Sequence, residues 1–428
     1  MKGKLNGFQR SVLHWNDMQP YNAVHVVKIS APLDLFRLSR TINQELEHLG
    51  LTGLYLDRPK GSYEYRGGPA NIELELVTID SEVDAILQDW MEKYLNTPFL
   101  LQGSVNPFRF FVIPEEEAFY LGLVYFHVVA GAESIILLLK HLVRRYLGRE
   151  PVFPYPLDRY PKGYGKLTPG NGSLILRKIG RLPSLIKRQR RSSRPPFQDY
   201  ADPATGLSLF SLSNKELSNV FKTAKSWGIT LNDLFMALLL QVLAPLDLKR
   251  FQASRRRLMT LGSIVNIRKD LGIDSQKTFG VFLSSFIVGH SLPDGLSLEE
   301  LAKDICQQTS KIKREKLYLG TQLELWLGRL LVSLQPKDKK AKFYPRTFPL
   351  WAGITNMNLI PLWDTAKESP AVEYFRSVST GPFTPLVWSI TTTREKANMG
   401  LIYKKTVFTK KEIERIISGL IRHATLVA

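Results

Sequence analysis

Cysteine is nearly missing from this chain: its 428 residues hold one, Cys306. A single thiol excludes an intramolecular disulfide and a cysteine-rich metal site, and it suits a reducing compartment. At helical spacing among Leu301, Ile305 and Ile312 it reads as a core residue. The seven histidines are scattered, with no H-E-x-x-H or comparable ligand spacing, so no metal is expected. No apolar run approaches the roughly 18 residues of a membrane span, and MKGKLNGFQRSVLHWN lacks the apolar core of a secretory leader. A cytoplasmic protein is therefore expected. There is no G-x-S-x-G elbow, Walker loop or dinucleotide glycine pattern, which removes support for a serine hydrolase of that type, a P-loop NTPase and a Rossmann enzyme.

Acidic residues are also short. Against 58 Lys and Arg stand 39 Asp and Glu, a formal net charge of +19, which implies attraction to an anionic partner. Hydrophobic residues at 44% and charged residues at 23% belong to a globular protein with room for two domains. The charge excess is densest in Ser173 to Phe197, where Arg177, Arg181, Lys187, Arg188, Arg190 and Arg191 occur with no acidic residue. Ile175, Ile179, Leu182 and Ile186 keep a helical stripe there, which Pro183 is expected to break or kink. Two readings stay open for this segment: a solvated linker, or a peripheral contact of residues 173–197 with an anionic membrane surface. Interleaved aromatics are lacking, so no specific nucleic-acid contact is expected.

The apolar pattern predicts alternating strands and helices. Ala23 to Ile29, Asn71 to Ile79, Asn106 to Ile113 and Phe119 to Val129 read as strands, the last two as a hairpin across Pro114 to Glu117. Helices are predicted after Pro32, from Glu82 to Tyr94, and from Ser134 on, where Ile135, Leu138, Leu139, Leu142 and Tyr146 recur at helical spacing. The second half reads as another such unit. Strands are expected at Leu207 to Leu212, Leu258 to Ile267, Tyr374 to Val378, Leu386 to Thr393 and Asn398 to Tyr403, and another apolar run extends from Thr278 to Val288. Helices are expected from Lys215, Thr230, Ser297, Thr321 and Thr409, and Gln335 to Lys340 reads as a charged loop. An α/β protein of mixed sheets flanked by helices follows.

The strand Phe119 to Val129 delivers His127 to a strand-to-helix turn, a place where chemistry often sits. A lone histidine in an apolar strand is more often a satisfied core residue. The surrounding residues, Phe126-His127-Val128-Val129-Ala130-Gly131-Ala132-Glu133-Ser134, resemble H-H-x-x-x-D-G-x-S, the signature of nonribosomal peptide synthetase condensation domains and related acyltransferases of the chloramphenicol acetyltransferase superfamily. His127 and Ser134 match; Phe126 stands for the first His, Gly131 for the Asp and Ala132 for the Gly. Further segments resemble the family in the right order: PYNAVHVVKISAPLDLFRLSRTI near the start, GITLNDLFMALLLQVL, the strand ending Asn266-Ile267-Arg268, Thr278-Phe279-Gly280-Val281-Phe282, and Ala352-Gly353-Ile354-Thr355-Asn356-Met357-Asn358.

The resemblance implies two chloramphenicol acetyltransferase-like halves forming a pseudo-dimer, residues 1–149 and 198–428 joined by the basic linker 150–197, with a tunnel between them. It implies an acyltransferase in which His127 is the general base and the co-substrate is an acyl-CoA or acyl-carrier-protein thioester, with no tightly bound cofactor. The acceptor is a small molecule, lipid or sugar bearing a hydroxyl or amine, and the protein is expected to be a monomer. Phe126, Ser134 and Asn356 are the implied substrate contacts, and Gly131, Glu133 and Arg268 the structural residues. Because the family's Asp pairs with an Arg, Gly131 leaves Arg268 without its usual partner, and Glu133 is the expected replacement. The chemistry agrees with what the sequence lacks: an activated thioester needs a base and an oxyanion donor, not a protein nucleophile or metal. The second reading is a catalytically silent condensation-like domain that binds a carrier protein or other partner.

Overall fold

The structure, a computed structural model, describes residues 2–154, 157, 180, 182–247, 249–253, 255–368 and 372–426. In the first part of the chain these form β1 (Lys2–Lys4), α1 (Gly7–Asn16), β2 (Asn22–Ile29), α2 (Leu35–His48), β3 (Leu54–Asp57), β4 (Ser62–Tyr65) and β5 (Leu74–Leu76). Then come α3 (Val83–Asn96), β6 (Ser104–Val105), β7 (Phe108–Pro114), β8 (Phe119–Phe126) and α4 (Ala132–Tyr146). The remainder holds α5 (Leu182–Arg191), β9 (Thr205–Leu212), α6 (Asn214–Ser226), α7 (Leu231–Leu243), β10 (Met259–Asn266), β11 (Leu283–His290), α8 (Leu298–Arg314) and α9 (Thr321–Ser333). It ends with α10 (Lys337–Thr347), β12 (Ala352–Asn358), β13 (Val372–Val378), β14 (Leu386–Thr392), β15 (Ala397–Lys404) and α11 (Lys410–Leu426), with short helical turns between.

The chain folds as two compact units. The first comprises Met1–Pro169, Asn266–Leu283 and Asn358–Ser379; the second comprises Gly170–Val265, Ser284–Met357 and Thr380–Ala428. Two segments from the expected C-terminal half thus belong to the first unit. The physical reason is backbone pairing: β13 runs antiparallel to β2, with Arg376 opposite His25 and Tyr374 opposite Val27, so its ladder hydrogen bonds lie in the N-terminal sheet.

The first unit carries a five-stranded mixed sheet in the order β13-β2-β8-β7-β5 and a four-stranded sheet β1-β4-β3-β6. The expected hairpin of β7 and β8 is present, antiparallel, whereas β5 lies parallel to β7. Every residue of β8 is buried, as its uncharged aromatic and branched sequence requires. Gly122 in its middle has a steric purpose, since a Cβ there would lie 2.2 Å from the Phe111 ring, which stacks on Tyr94 of α3. The strand expected over Asn71 to Ile79 shortens to β5 because Asn71 adopts φ 47°, outside extended geometry.

The second unit carries a six-stranded mixed sheet, β11-β10-β12-β14-β15-β9. Its helices start where the sequence places caps: Ser213, Thr230 and Ser297 each close a capping box on the acidic residue three positions on. Helix α7 is almost wholly buried, and its buried Asp233 also accepts from Thr309 of α8 at 2.6 Å. One expectation fails here. Gln335 to Lys340 is not a loop throughout, because Lys337 begins α10, held by its aromatic side: Phe343 lies against Phe348, and a Cβ at Gly328 of α9 would meet Tyr344 and Phe348 within 4 Å. Helix α5 starts at Leu182 with Pro183 in its first turn, where no backbone donor is needed, and the part of the stripe before it, with the expected break or kink, lies outside the described residues. Of the linker 150–197, residues 155, 156, 158–179 and Arg181 lie outside the described residues. Among the described residues no single helix is long and apolar enough to cross a membrane.

Candidate active site

β8 ends at Phe126, and the turn from His127 to Gly131 leads into α4. The turn is pinned at both sides. Val129 N donates to Phe126 O at 3.0 Å, His127 N to Tyr21 O at 3.3 Å, and the Gln9 amide to Val128 O at 2.8 Å. The His127 ring is buried, 5.6 Å from Tyr125 edge-on and 5.7 Å from Tyr21. Phe126 is fully buried and packs against Phe99.

The hydrogen bonding of the His127 ring fixes its protonation. Nδ1 lies 2.9 Å from Ala130 O. A carbonyl only accepts, so Nδ1 carries the hydrogen, and in the neutral ring Nε2 keeps its lone pair. Among the described residues Nε2 has no hydrogen-bond partner. Burial holds the ring below the usual histidine pKa, the backbone contacts at His127 and Ala130 act the other way, and the Arg376 charge lowers it further. The ring is therefore kept neutral at neutral pH, with a base nitrogen uncommitted.

Behind His127 lies a group that the sequence did not flag. His25 Nδ1 is 2.6 Å from the Tyr374 hydroxyl, and Tyr125 Oη is 3.4 Å from His25 Nε2. Arg376 is 5% exposed, its pKa pushed down to about 10 by burial while Tyr125 and Tyr374 oppose the shift. His25 is held well below the ordinary histidine range by burial, with Arg376 and His127 adding to the effect. The signal for His25 and Tyr125 was present in their spacing along buried strands. For Arg376 there was none, because its neighbours are distant in sequence.

α4 starts at Gly131, which is the N-cap at φ −91° and donates to Gly280 O at 3.1 Å. A Cβ at Gly131 would meet its neighbours, Leu283 and Gly280 O, at 3.7–3.8 Å, so neither space nor backbone demands glycine. Ser134 is fully buried: its hydroxyl donates to Gly280 O at 3.1 Å and accepts from Gly280 N at 3.0 Å and from Arg268. The Arg268 guanidinium, 4% exposed, also donates to Thr278 O at 2.9 Å and lies over the Phe282 ring. Glu133 approaches Arg268 Nε to 3.8 Å, an ion pair beyond hydrogen-bond distance, while its oxygens accept from Asn266 and Ser275. The structure thus brings His127, Gly131, Glu133, Ser134 and Arg268 together in the first unit. Asn356 belongs to β12 of the second unit, partly buried, with its Oδ1 buried and unpartnered among the described residues. Of groups of three or more His, Cys, Asp and Glu able to hold a metal, there is none among the described residues. A cavity beside the turn, lined by Gln9, Tyr63, Val128 and Val129 among others, has about 10 Å³, at most one water.

Solved structures match over the whole chain. The first condensation domain of the calcium-dependent antibiotic synthetase, in complex with a substrate analogue, superimposes with a TM-score of 0.74 at 15% identity, covering 100% of this chain and 98% of that one. The chain has the condensation-domain fold. A variant starter condensation domain of rhizomide synthetase, in complex with C8-CoA and Leu-SNAC, is similar at TM-score 0.67 and 13% identity, covering 100% and 94%. The same condensation-domain fold appears in the X-domain from teicoplanin biosynthesis, solved in complex with OxyB, at TM-score 0.59 and 15% identity over 100% and 93%. No protein-family model and no curated protein matches the chain.

Proposed function

We propose that the protein is an acyltransferase that moves an acyl group from a coenzyme A or carrier-protein thioester to a hydroxyl or amine, with Nε2 of His127 as general base. The observation that carries this reading is the bond from Nδ1 to Ala130 O, which leaves Nε2 as the acceptor in a ring that burial keeps neutral. The acceptor O–H or N–H gives its proton to Nε2 as its oxygen or nitrogen attacks the thioester carbonyl. The tetrahedral intermediate then expels the thiolate, and the imidazolium returns the proton to sulfur. While the ring is charged, Nδ1–H keeps its bond to Ala130 O, which supports the cation. The fold is the one in which the rhizomide starter domain holds C8-CoA and Leu-SNAC, and that neighbour motivates the choice of thioester.

In this proposal Ser134 and Phe126 hold the turn rather than the substrate, since the Ser134 hydroxyl is fully engaged and Phe126 is sealed against Phe99. Asn356, in the second unit, has its carboxamide oxygen buried without a partner among the described residues. A silent, partner-binding domain is the second reading, favoured by Phe126 and Gly131 in place of the signature His and Asp and by the X-domain neighbour's complex with OxyB. Thiol release from a panel of acyl-CoA and acyl-pantetheine thioesters, with amine and alcohol acceptors, tests the choice. Acceptor-dependent release that His127→Ala lowers by about 100-fold or more supports the base. Equal acceptor-dependent rates for wild type and a folded His127→Ala would overturn the base assignment, and release no faster than without protein supports the silent reading.

A further inference from the structure

Helix α9 of the second unit is apolar on two sides. Thr321, Gly328 and Val332 face inward and are buried. On the outer side Trp326, Leu330, Leu331 and the following Leu334 are 52%, 43%, 36% and 72% exposed. A helix apolar all round normally lies inside a protein, so an outward stripe with a tryptophan and leucines needs a cover.

Two neighbouring helices contact α9 on its inner side. α9 lies close to α10 at Gly328, where a Cβ would meet Tyr344 and Phe348. The Arg188 side chain of α5 turns inward, donating to Ile287 O at 2.9 Å, and its charge interacts with Glu324 of α9. Just after α5, Arg194 donates to Arg346 O of α10 at 2.9 Å. The two helices that contact α9 carry outward cations: Lys187, Arg190 and Arg191 on α5, and Lys339, Lys342 and Arg346 on α10, all exposed. Helix α5 has no acidic residue and α10 has one, Asp338.

We propose that α5, α9 and α10 form a docking platform for an anionic bilayer. The charge pattern selects that occupant. An apolar stripe with an interfacial tryptophan, together with long cationic side chains on the helices that contact α9, matches a surface that is hydrocarbon at depth and anionic at the headgroups. Lysine is depleted in protein–protein interfaces, and a phosphate backbone offers nothing to cover leucines, so a protein partner and a nucleic acid fit less well. The platform is independent of the acyl-transfer reading. It differs from a contact through residues 173–197 alone, because Arg188 is used inside the fold and the apolar component comes from α9.

Sedimentation of the full chain with vesicles of phosphatidylcholine and phosphatidylglycerol, against vesicles of phosphatidylcholine alone, tests the proposal. Wild type should pellet with the anionic vesicles and release as salt rises. Leu330→Ser with Leu334→Ser should weaken association about tenfold or more, because less apolar surface enters the bilayer. Lys339→Glu with Lys342→Glu should weaken it about tenfold or more and reduce the salt dependence. All four are outward side chains, so the thermal unfolding midpoint should hold. Should the serine variant misfold, quenching by brominated lipid still reads the platform: wild type should be quenched more than Trp326→Phe. Failure to pellet, equal pelleting of wild type and folded variants, or a vesicle-free dimer that the serine variant dissociates would overturn it, the last assigning the face to a second copy.

Discussion

Two buried histidines stand on the same segment, His127 just before α4 and His141 inside it, and burial lowers the pKa of both. Their valences differ. His141 Nδ1 accepts from the backbone amides of Val152 and Phe153, each at 3.1 Å, so Nε2 carries the hydrogen and donates to Glu45 Oε2 at 2.9 Å. Glu45 Oε1 in turn accepts from Arg145 at 3.1 Å. The ring is neutral, and its contact with Glu45 is a charge-assisted hydrogen bond rather than an ion pair. Every polar atom of that ring is in use. His127 spends only Nδ1, on Ala130 O. Burial and a shifted pKa are thus shared by a clamp and a candidate base; what separates them is whether a nitrogen is left over.

The largest effects come from removing each ring. His141→Ala removes the partner of two amides and of Glu45 Oε2, and should cost about 3 kcal/mol of unfolding free energy, measured by urea titration. His127→Ala removes one hydrogen bond and some packing and should cost about half as much. On thioester turnover the ranking should reverse. A His141→Ala protein that unfolds no more easily than His127→Ala would erase the distinction between clamp and base.

Acidification gives a smaller effect. The rings of His25, His127 and His141 all resist protonation in the folded state, whereas the unfolded chain takes protons near pH 6.5. Below that pH the unfolded state binds more protons, so stability is intact above about pH 6.5 and declines as pH falls toward the folded-state values. The urea midpoint should therefore drop between pH 7 and pH 5. Turnover should behave differently, because the base form of His127 persists below the ordinary histidine range, placing the acid limb of kcat/KM under pH 6.5. Arg376→Gln removes a charge that disfavours the imidazolium and should move that limb upward. A limb unmoved in a folded Arg376→Gln protein would show that burial alone sets the pKa.

Much of this architecture is legible in the sequence. The long buried strands β2, β8, β14 and β15 announce themselves by apolar runs, and α6, α7 and α8 by capping pairs at Ser213, Thr230 and Ser297. Local signals fail where the determinant is remote. Helix α10 looks like a lysine-rich loop because Tyr344, which holds it, packs on Phe383, far along the chain. The hairpin of β3 and β4 has strands too short to show a period. Arg376 reaches the neighbourhood of His127 only because β13 joins β2 across most of the chain. The motif located His127, but the clue to its state, the Ala130 carbonyl, is a backbone atom that no residue pattern records.

The smallest effect decides how the turn survives without the signature carboxylate at Gly131. An unpaired guanidinium is costly to bury, and Arg268 meets the need mainly with neutral oxygens: Thr278 O at 2.9 Å, Gly280 O at 3.4 Å and the Ser134 hydroxyl. Glu133 contributes charge at 3.8 Å, and both its oxygens are already engaged by Asn266 and Ser275. A double-mutant cycle of Glu133→Gln and Arg268→Met should therefore show a coupling near the detectable limit, about 0.5 kcal/mol. The cycle of Ser134→Ala with Arg268→Met should exceed it, at about 1–2 kcal/mol, because it removes a direct buried hydrogen bond to a charged group. Strict additivity in the first cycle would mean that Glu133 does not replace the missing aspartate and that Ser134 with two carbonyls alone fixes the start of α4. A first coupling larger than the second would reverse that assignment and make Glu133 the residue that keeps His127 aimed.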